Sequence, residues 1–269
     1  MDDARLLRIT SPLGEGALIP IKLSAVEELG MTYRFDVDVL GRDPGLVPSD
    51  LLKKEVTVKV VRAYDGQPVE RFYHGIVCEF QRLGPGAARR MTYRLSLAPG
   101  LFRLGLKRNC RIFQEKSARD IVDAILSEHE LPAAIWGIVP DLQPIPYCTQ
   151  FNETDLHFVS RLLEEYGMTY YFTHSATGHK LCISATAQGF PTFAGGQVNA
   201  MHASPRFFDF SGWQRDNNVR SAKTSYEDMD EERSQPSVVL KKKSDTRTYA
   251  GEPSMWGPGE SPSMGPKPP

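Results

Sequence analysis

The 269-residue chain has no apolar run near the roughly 20 residues that a membrane-spanning helix needs. Its first residues, MDDARLLRIT, lack the positive head and apolar core of a secretory signal. A cytoplasmic location is therefore expected, with departure only by a specialised export route. Net charge is also lacking: 32 Lys and Arg face 33 Asp and Glu, a formal balance of −1. No overall positive field draws such a chain to nucleic acid or to anionic lipid. The basic run Lys241, Lys242 and Lys243 reads as solvated surface. Cysteine is sparse. Cys78, Cys110, Cys148 and Cys182 are spread widely, mostly in apolar or strand-like surroundings, and read as reduced, buried thiols.

Motifs for chemistry are missing as well. The six histidines (74, 129, 157, 174, 179 and 202) form no His-Glu-x-x-His, and there is no Cys-x-x-Cys. There is no Gly-x-Ser-x-Gly elbow, and Gly84-Pro85-Gly86 continues wrongly for a phosphate loop. Glu164 and Glu165 are adjacent on an expected helix, about 100° apart, and cannot oppose one another as a catalytic carboxylate pair. Arg161, three and four residues before them, is placed for an intrahelical ion pair. His174 and His179 flank an expected hairpin turn and can approach across it, but read as exposed, inert loop residues. No catalytic, cofactor-binding or metal-ligating residue is assigned, and no cofactor is expected.

What is present is mostly strand. RLLRITS, LIPIKLSAV, YRFDVDVLG, EVTVKVVRA, VERFYHGIVCEF and MTYRLSLAP alternate or run apolar between Gly, Pro and Asp turns. Phe35, Val37 and Val39 fall opposite Asp36 and Asp38, and Val56, Val58 and Val60 opposite Thr57 and Lys59. Six strands over residues 5–108 predict a small antiparallel barrel or sandwich. Residues 109–167 read as a helical connecting region. Its first helix opens at Ser117 with Asp120 at the capping-box position and carries Ile121, Val122, Ile125 and Leu126, stopping before Pro132. Its second is predicted with Asn152 as N-cap and Asp155 three residues on. Leu156, Val159, Leu163 and Tyr166 recur there at helical spacing, Phe158 and Leu162 widen the face, and Gly167 ends it.

From Met168 the period changes to two, and Ser175-Ala176-Thr177-Gly178 signals a hairpin. A second, less complete barrel-like unit is expected over residues 168–249, completed by PRFFDFSGWQ and the Val238–Leu240 run. The fold class is thus α+β, mainly β: two small antiparallel barrel-like units joined by a helical segment. The last 19 residues hold six prolines, four glycines and three serines, so residues 250–269 are expected to be disordered, with Trp256 a stray aromatic.

Three blocks carry a resemblance. Tyr147 to Phe172 resembles the Q-[FY]-x-E-[ST]-D-x-x-F-x-x-R-L-L-E-E-x-G-x-x-Y-x-F signature of VgrG, the spike protein of bacterial type VI secretion. The matching residues are Gln150, Phe151, Glu153, Thr154, Asp155, Phe158, Arg161, Leu162, Leu163, Glu164, Glu165, Gly167, Tyr170 and Phe172. RIFQEKSARDIVDAIL, from Arg111 to Leu126, resembles the family's R-I-F-Q-x-K-S-x-x-D-I-V, and FYHGIVCEF its H-G-x-V strand.

The resemblance implies a non-catalytic hub-like domain similar to a phage baseplate hub. Two related barrels per subunit and three subunits per ring would dock on a hexameric Hcp tube ring, with effector, adaptor and baseplate proteins as further partners. The family usually continues into an OB-fold and a β-needle, so the chain is expected to be a truncated or split product, or a hub domain with a substitute tail. The needle helps hold three subunits together, which leaves homotrimerisation of this chain alone open. The alternative is a barrel-type binding domain for an oligosaccharide or single-stranded nucleic acid, with Phe72, Tyr73, Phe80 and Tyr93 as a stacking platform.

Overall fold

The computed structural model describes residues 6–64, 67–86, 90–191, 223–226 and 242–245. Two compact units are present. In the larger, six strands form one antiparallel sheet: β1 (Leu7–Thr10), β2 (Leu18–Val26), β3 (Arg34–Gly41), β4 (Glu55–Tyr64), β5 (Gln67–Pro85) and β6 (Met91–Ala98). The order β1-β4-β5-β6-β3-β2 curls until the two edge strands approach within 8 Å, so the sheet is a nearly closed barrel. A single helical turn, α1 (Pro48–Leu51), precedes β4.

Alternation explains the closure. Phe35, Val37, Val39, Val56, Val58, Leu95 and Leu97 point inward and are almost fully buried. Asp38 faces outward and takes both Nε and Nη2 of Arg94 from β6, at 2.7 and 3.0 Å. Thr57 departs from this pattern. It sits on the polar face yet is buried, because its hydroxyl donates to the Ala176 carbonyl of a distant hairpin.

After β6 a 3-10 turn (Gly100–Gly105) leads into β7 (Arg108–Lys116), α2 (Ala118–Glu128), β8 (Ile135–Trp136), β9 (Ile145–Thr154) and α3 (Asp155–Glu165). Residues 109–167 therefore hold a β-ribbon as well as two helices, since β7 and β9 pair antiparallel. The α2 start is as predicted: Ser117 Oγ accepts from the Asp120 amide, and Asp120 accepts from the Ser117 amide. The hairpin β10 (Thr169–Ser175) and β11 (Gly178–Ser184) follows, with β8 joined parallel to β11. Ile121, Ile125, Phe158, Leu162, Leu163, Tyr170 and Ile183 form a second core, and Phe172 packs against both cores.

The α3 start corrects an expectation. The N-cap is Thr154, whose hydroxyl accepts from the His157 amide at 3.1 Å. Asn152 lies inside β9 with φ +47°. Pairing of Asn109 with Glu153 and Arg108 with Thr154 extends the strand through both residues, so the helix starts later. The C-terminal end is as expected. Gly167 adopts φ +65°, its amide bonds Glu164 O, and the Met168 amide bonds Leu163 O, a Schellman closure.

In the second unit the described residues form one antiparallel pair, β12 (Lys223–Tyr226) with β13 (Lys242–Asp245). The segments PRFFDFSGWQ and Val238–Leu240, expected to complete a second barrel, and the tail 250–269 lie outside the described residues. Among the described residues, no helix is long and apolar enough to cross a membrane.

Candidate functional site: a carboxylate hub beneath an apolar ribbon

The Tyr147–Phe172 signature folds into two functionally separate layers. The inner layer centres on Asp155, the first residue of α3, which is fully buried. Its Oδ1 accepts from Asn109 Nδ2 (2.9 Å), Gln150 Nε2 (2.8 Å) and Arg111 Nη2 (2.7 Å). Its Oδ2 lies 2.8 Å from His129 Nε2. Arg111 Nε also donates to Gln150 Oε1 at 2.8 Å and pairs with Glu128 at the end of α2. One carboxylate thus fastens β7, β9, α2 and α3 together. Burial pushes the carboxyl up, but the bonds from Asn109, Gln150 and His129 and the Arg111 charge outweigh it and hold the group at about 2. A carboxylate so saturated with donors is a structural anchor and has no lone pair free for general-base work.

Arg161 extends this layer. Its expected partners were Glu164 and Glu165, which are exposed instead. The guanidinium reaches back to Glu153 through Nε (2.9 Å) and Nη2 (2.7 Å) and donates to the Thr149 carbonyl. It also lies over the Phe158 ring at 4.9 Å. Hydrogen bonding to Arg161 draws the Glu153 carboxyl below its usual range.

The outer layer is the opposite face of the β7–β9 ribbon. Phe151 is 77% exposed, and Tyr147 and Ile112 are more than half exposed on the same face. Cys110, expected to be buried, is also exposed on β7, whereas Cys148 and Cys182 are buried. Phe151 is thus a signature residue that serves neither the core nor the hub.

The residues weighed as a stacking platform do not form one. Tyr73 and Tyr93 are buried inside the barrel, where Tyr73 meets Phe35 edge-on at 5.2 Å and Tyr93 packs on Phe80. Phe72 lies on the other side of β5, because neighbouring strand residues face opposite ways. Among the described residues, no group of three His, Cys, Asp or Glu side chains is placed to hold a metal ion.

His174 and His179 differ from the expected exposed loop residues. The His174 side chain is 7% exposed, and both rings turn towards His74 of β5, itself buried. His174 and His179 are opposed across the hairpin, as their spacing allowed, but nothing local marks His74 as their neighbour, since 105 positions separate it from His179. The hub partners Asn109 and His129 were also missed. The available signal was the shared presence of Arg111, Gln150 and Asp155 in two of the resembling blocks.

A barrel, a helical layer and an anchored ribbon with an apolar outer face define a β-rich scaffold. The chain belongs to the phage tail baseplate hub (GPD) family, whose pattern matches residues 26–261. It is 30% identical over 233 residues to the type VI secretion system spike protein VgrG1b of Pseudomonas aeruginosa, covering 85% of this chain and 31% of that protein. With VgrG2b of the same organism it shares 33% over 196 residues, 72% of this chain and 19% of that one. The chain spans about a third or less of the length of these spike proteins. Among solved structures, the E. coli c3393 protein, a component of the type VI secretion system, shares the fold. Its TM-score is 0.61 at 20% identity, over 73% of this chain and 52% of the other.

Proposed function

We propose that this chain is a structural component of the type VI secretion spike, part of a hub-like ring at the tip of an Hcp tube, with no catalytic centre of its own. The observation that carries this reading is Phe151. Most signature residues are committed to the core, a cap, the Glu153–Arg161 pair or the Asp155 hub, and Glu164 and Glu165 are charged surface. Phe151 is a large apolar signature residue held in solvent on the ribbon face that also exposes Ile112 and Tyr147. An apolar patch on a rigid, well-anchored ribbon supports a role in subunit contact. Broad, stiff contact area is what a mechanically driven spike requires, and it needs no perturbed nucleophile.

On this reading the partners are further copies of the chain, the Hcp ring, and effector, adaptor or baseplate proteins. The chain resides in the cytoplasm until type VI secretion exports it. The test is a pull-down of Hcp with the full chain, with light scattering on the purified protein. Wild type retains Hcp, and Phe151→Glu weakens retention at least tenfold with unchanged thermal unfolding. Nanomolar capture of an oligosaccharide or single-stranded DNA without any Hcp contact would overturn the reading.

A further inference from the structure

The three histidines on the hairpin and on β5 form a closed set of contacts with fixed hydrogen positions. His179 Nε2 accepts from the Gly100 amide at 3.2 Å, so in the neutral ring the hydrogen sits on Nδ1. That Nδ1 lies 2.9 Å from His74 Nδ1, which must then be the acceptor, leaving the His74 hydrogen on Nε2. His174 Nδ1 accepts from the His74 amide at 3.3 Å, so its hydrogen is also on Nε2. Each ring has one acceptor nitrogen, and a donor from outside its own strand already occupies each. A proton added to any ring must therefore break one contact of the hairpin or its neighbour. If His74 and His179 were both charged, two N–H groups would point at one another across 2.9 Å.

We propose that His74 and His179, with His174 packed beside them, form an acid-sensitive latch that holds the β10–β11 hairpin on the six-stranded sheet and opens when the His74 and His179 rings take up protons. This latch is independent of the assembly reading above.

Charged and polar groups face the latch from each element packed against it. β4 supplies Glu55, 3.9 Å from His74 Nε2 and largely exposed. Near the end of β2, Glu27 lies 3.3 Å from His174 Nε2 and is also held by Arg71 of β5 at 2.5 Å. Tyr33 donates its hydroxyl to the His74 carbonyl and packs edge-on against His174 and His179. The two carboxylates face hydrogens already in place on Nε2, and neither reaches an acceptor nitrogen. They soften the charge without restoring the broken contacts. Opening would uncover Tyr33, Phe35 and Phe172, which the hairpin now packs against or supplies.

Protonation equilibria agree in sign. Burial first, then the His74 and His174 charges, holds His179 down at about 4, and burial likewise lowers His74. Both lie below the roughly 6.5 of an open, hydrated ring. The open form therefore binds more protons than the closed one between about pH 6.5 and 4, and acid favours opening across that window.

The test is hydrogen exchange of the full chain at pH 7.5, 6.5, 5.5 and 4.5, corrected for intrinsic rates. Protection of Thr169–Ser184 amides is expected to fall about tenfold per pH unit for each proton taken up, while β3 and β6 keep theirs. A His74→Gln/His179→Gln double variant, whose amides do not titrate, should lose that pH dependence. Hairpin protection unchanged to pH 4.5, loss in step with β3 and β6, or the same slope in the double variant would overturn the proposal. Should the variant fail to fold, the wild-type His179 ring signal decides. Protonation that tracks hairpin exposure supports the latch, and protonation near pH 6.5 with the hairpin still protected refutes it.

Discussion

Arg111 of β7 and Asp155 of α3 meet at 2.7 Å across 44 positions of chain, with the carboxylate wholly out of solvent. The same guanidinium reaches Gln150 and Glu128, so a single side chain ties β9 and both larger helices to β7. That contact anchors the inner face of the ribbon whose outer face carries Phe151.

Replacing Asp155 should therefore be severe. Asp155→Ala leaves the Arg111 charge and the Asn109 and Gln150 amides facing an empty site, and removal of one partner of a buried pair costs about 3–5 kcal/mol. Asp155→Asn keeps an acceptor but loses the charge and turns an NH2 towards donors, so a smaller loss is expected. Urea unfolding of the three proteins measures both. A loss under about 1 kcal/mol for Asp155→Ala would mean that the hub is not a structural anchor.

Acid should weaken the same hub at its own pH. The Asp155 carboxyl is held at about 2 in the fold, below its ordinary 3.8. A depressed carboxyl contributes stability that is present above the ordinary value and lost as pH falls towards the folded one. That contribution is about 2 kcal/mol, since each tenfold gain in acidity on folding is worth roughly 1.4 kcal/mol. Thermal unfolding between pH 4 and pH 2 should show this loss, and the loss should be absent in Asp155→Asn. The window lies below that of the histidine cluster, so the two are separable.

Caps give a sharper comparison. Thr154→Ala removes the oxygen that accepts from His157 N and should cost about 1 kcal/mol. Asn152→Gly removes no cap and suits the φ of +47°, so it should fall within a few tenths of a kcal/mol of wild type. Gly167→Ala forces a Cβ into φ +65° and should cost about 1 kcal/mol although nothing lies nearby to clash. If Asn152→Gly proves worse than Thr154→Ala in chemical denaturation, the helix boundary is misplaced.

The pattern of what could be read from residue order has a physical basis. Period-two alternation identified the inward face of β3 because Phe35, Val37 and Val39 answer to one core. The Ser117–Asp120 box was legible because both groups lie within one turn. Thr57 was read as outward and is buried, since its cover comes from Ala176, 119 positions later. Asn152 and Thr154 are both good cap types, and strand pairing with Asn109 and Arg108 decided between them. The expectation of α+β, mainly β, with a barrel-like sheet holds for the larger unit. The approach of His174 and His179 was legible, since they are cross-strand partners in one hairpin, whereas His74 joins them only through tertiary packing.

The last prediction concerns the partner of Arg161. Helical spacing pointed to Glu164 and Glu165, yet the guanidinium leaves its own helix for Glu153 on β9, near the Thr149 carbonyl that it also bonds. Two geometric facts favour that partner. The contact is two-pronged, and Glu153 is only 14% exposed, whereas Glu165 stands in solvent. Arg161 itself is 37% exposed, so screening keeps the interaction modest. A double-mutant cycle of Arg161→Ala with Glu153→Ala should give a coupling of about 1 kcal/mol, weakening as salt is raised. The parallel cycle with Glu165→Ala should give no more than a few tenths. A Glu153 coupling of no more than a few tenths would show that Arg161 does not tie α3 to β9, and that β9 must be held to the helix by the Asp155 hub without its help.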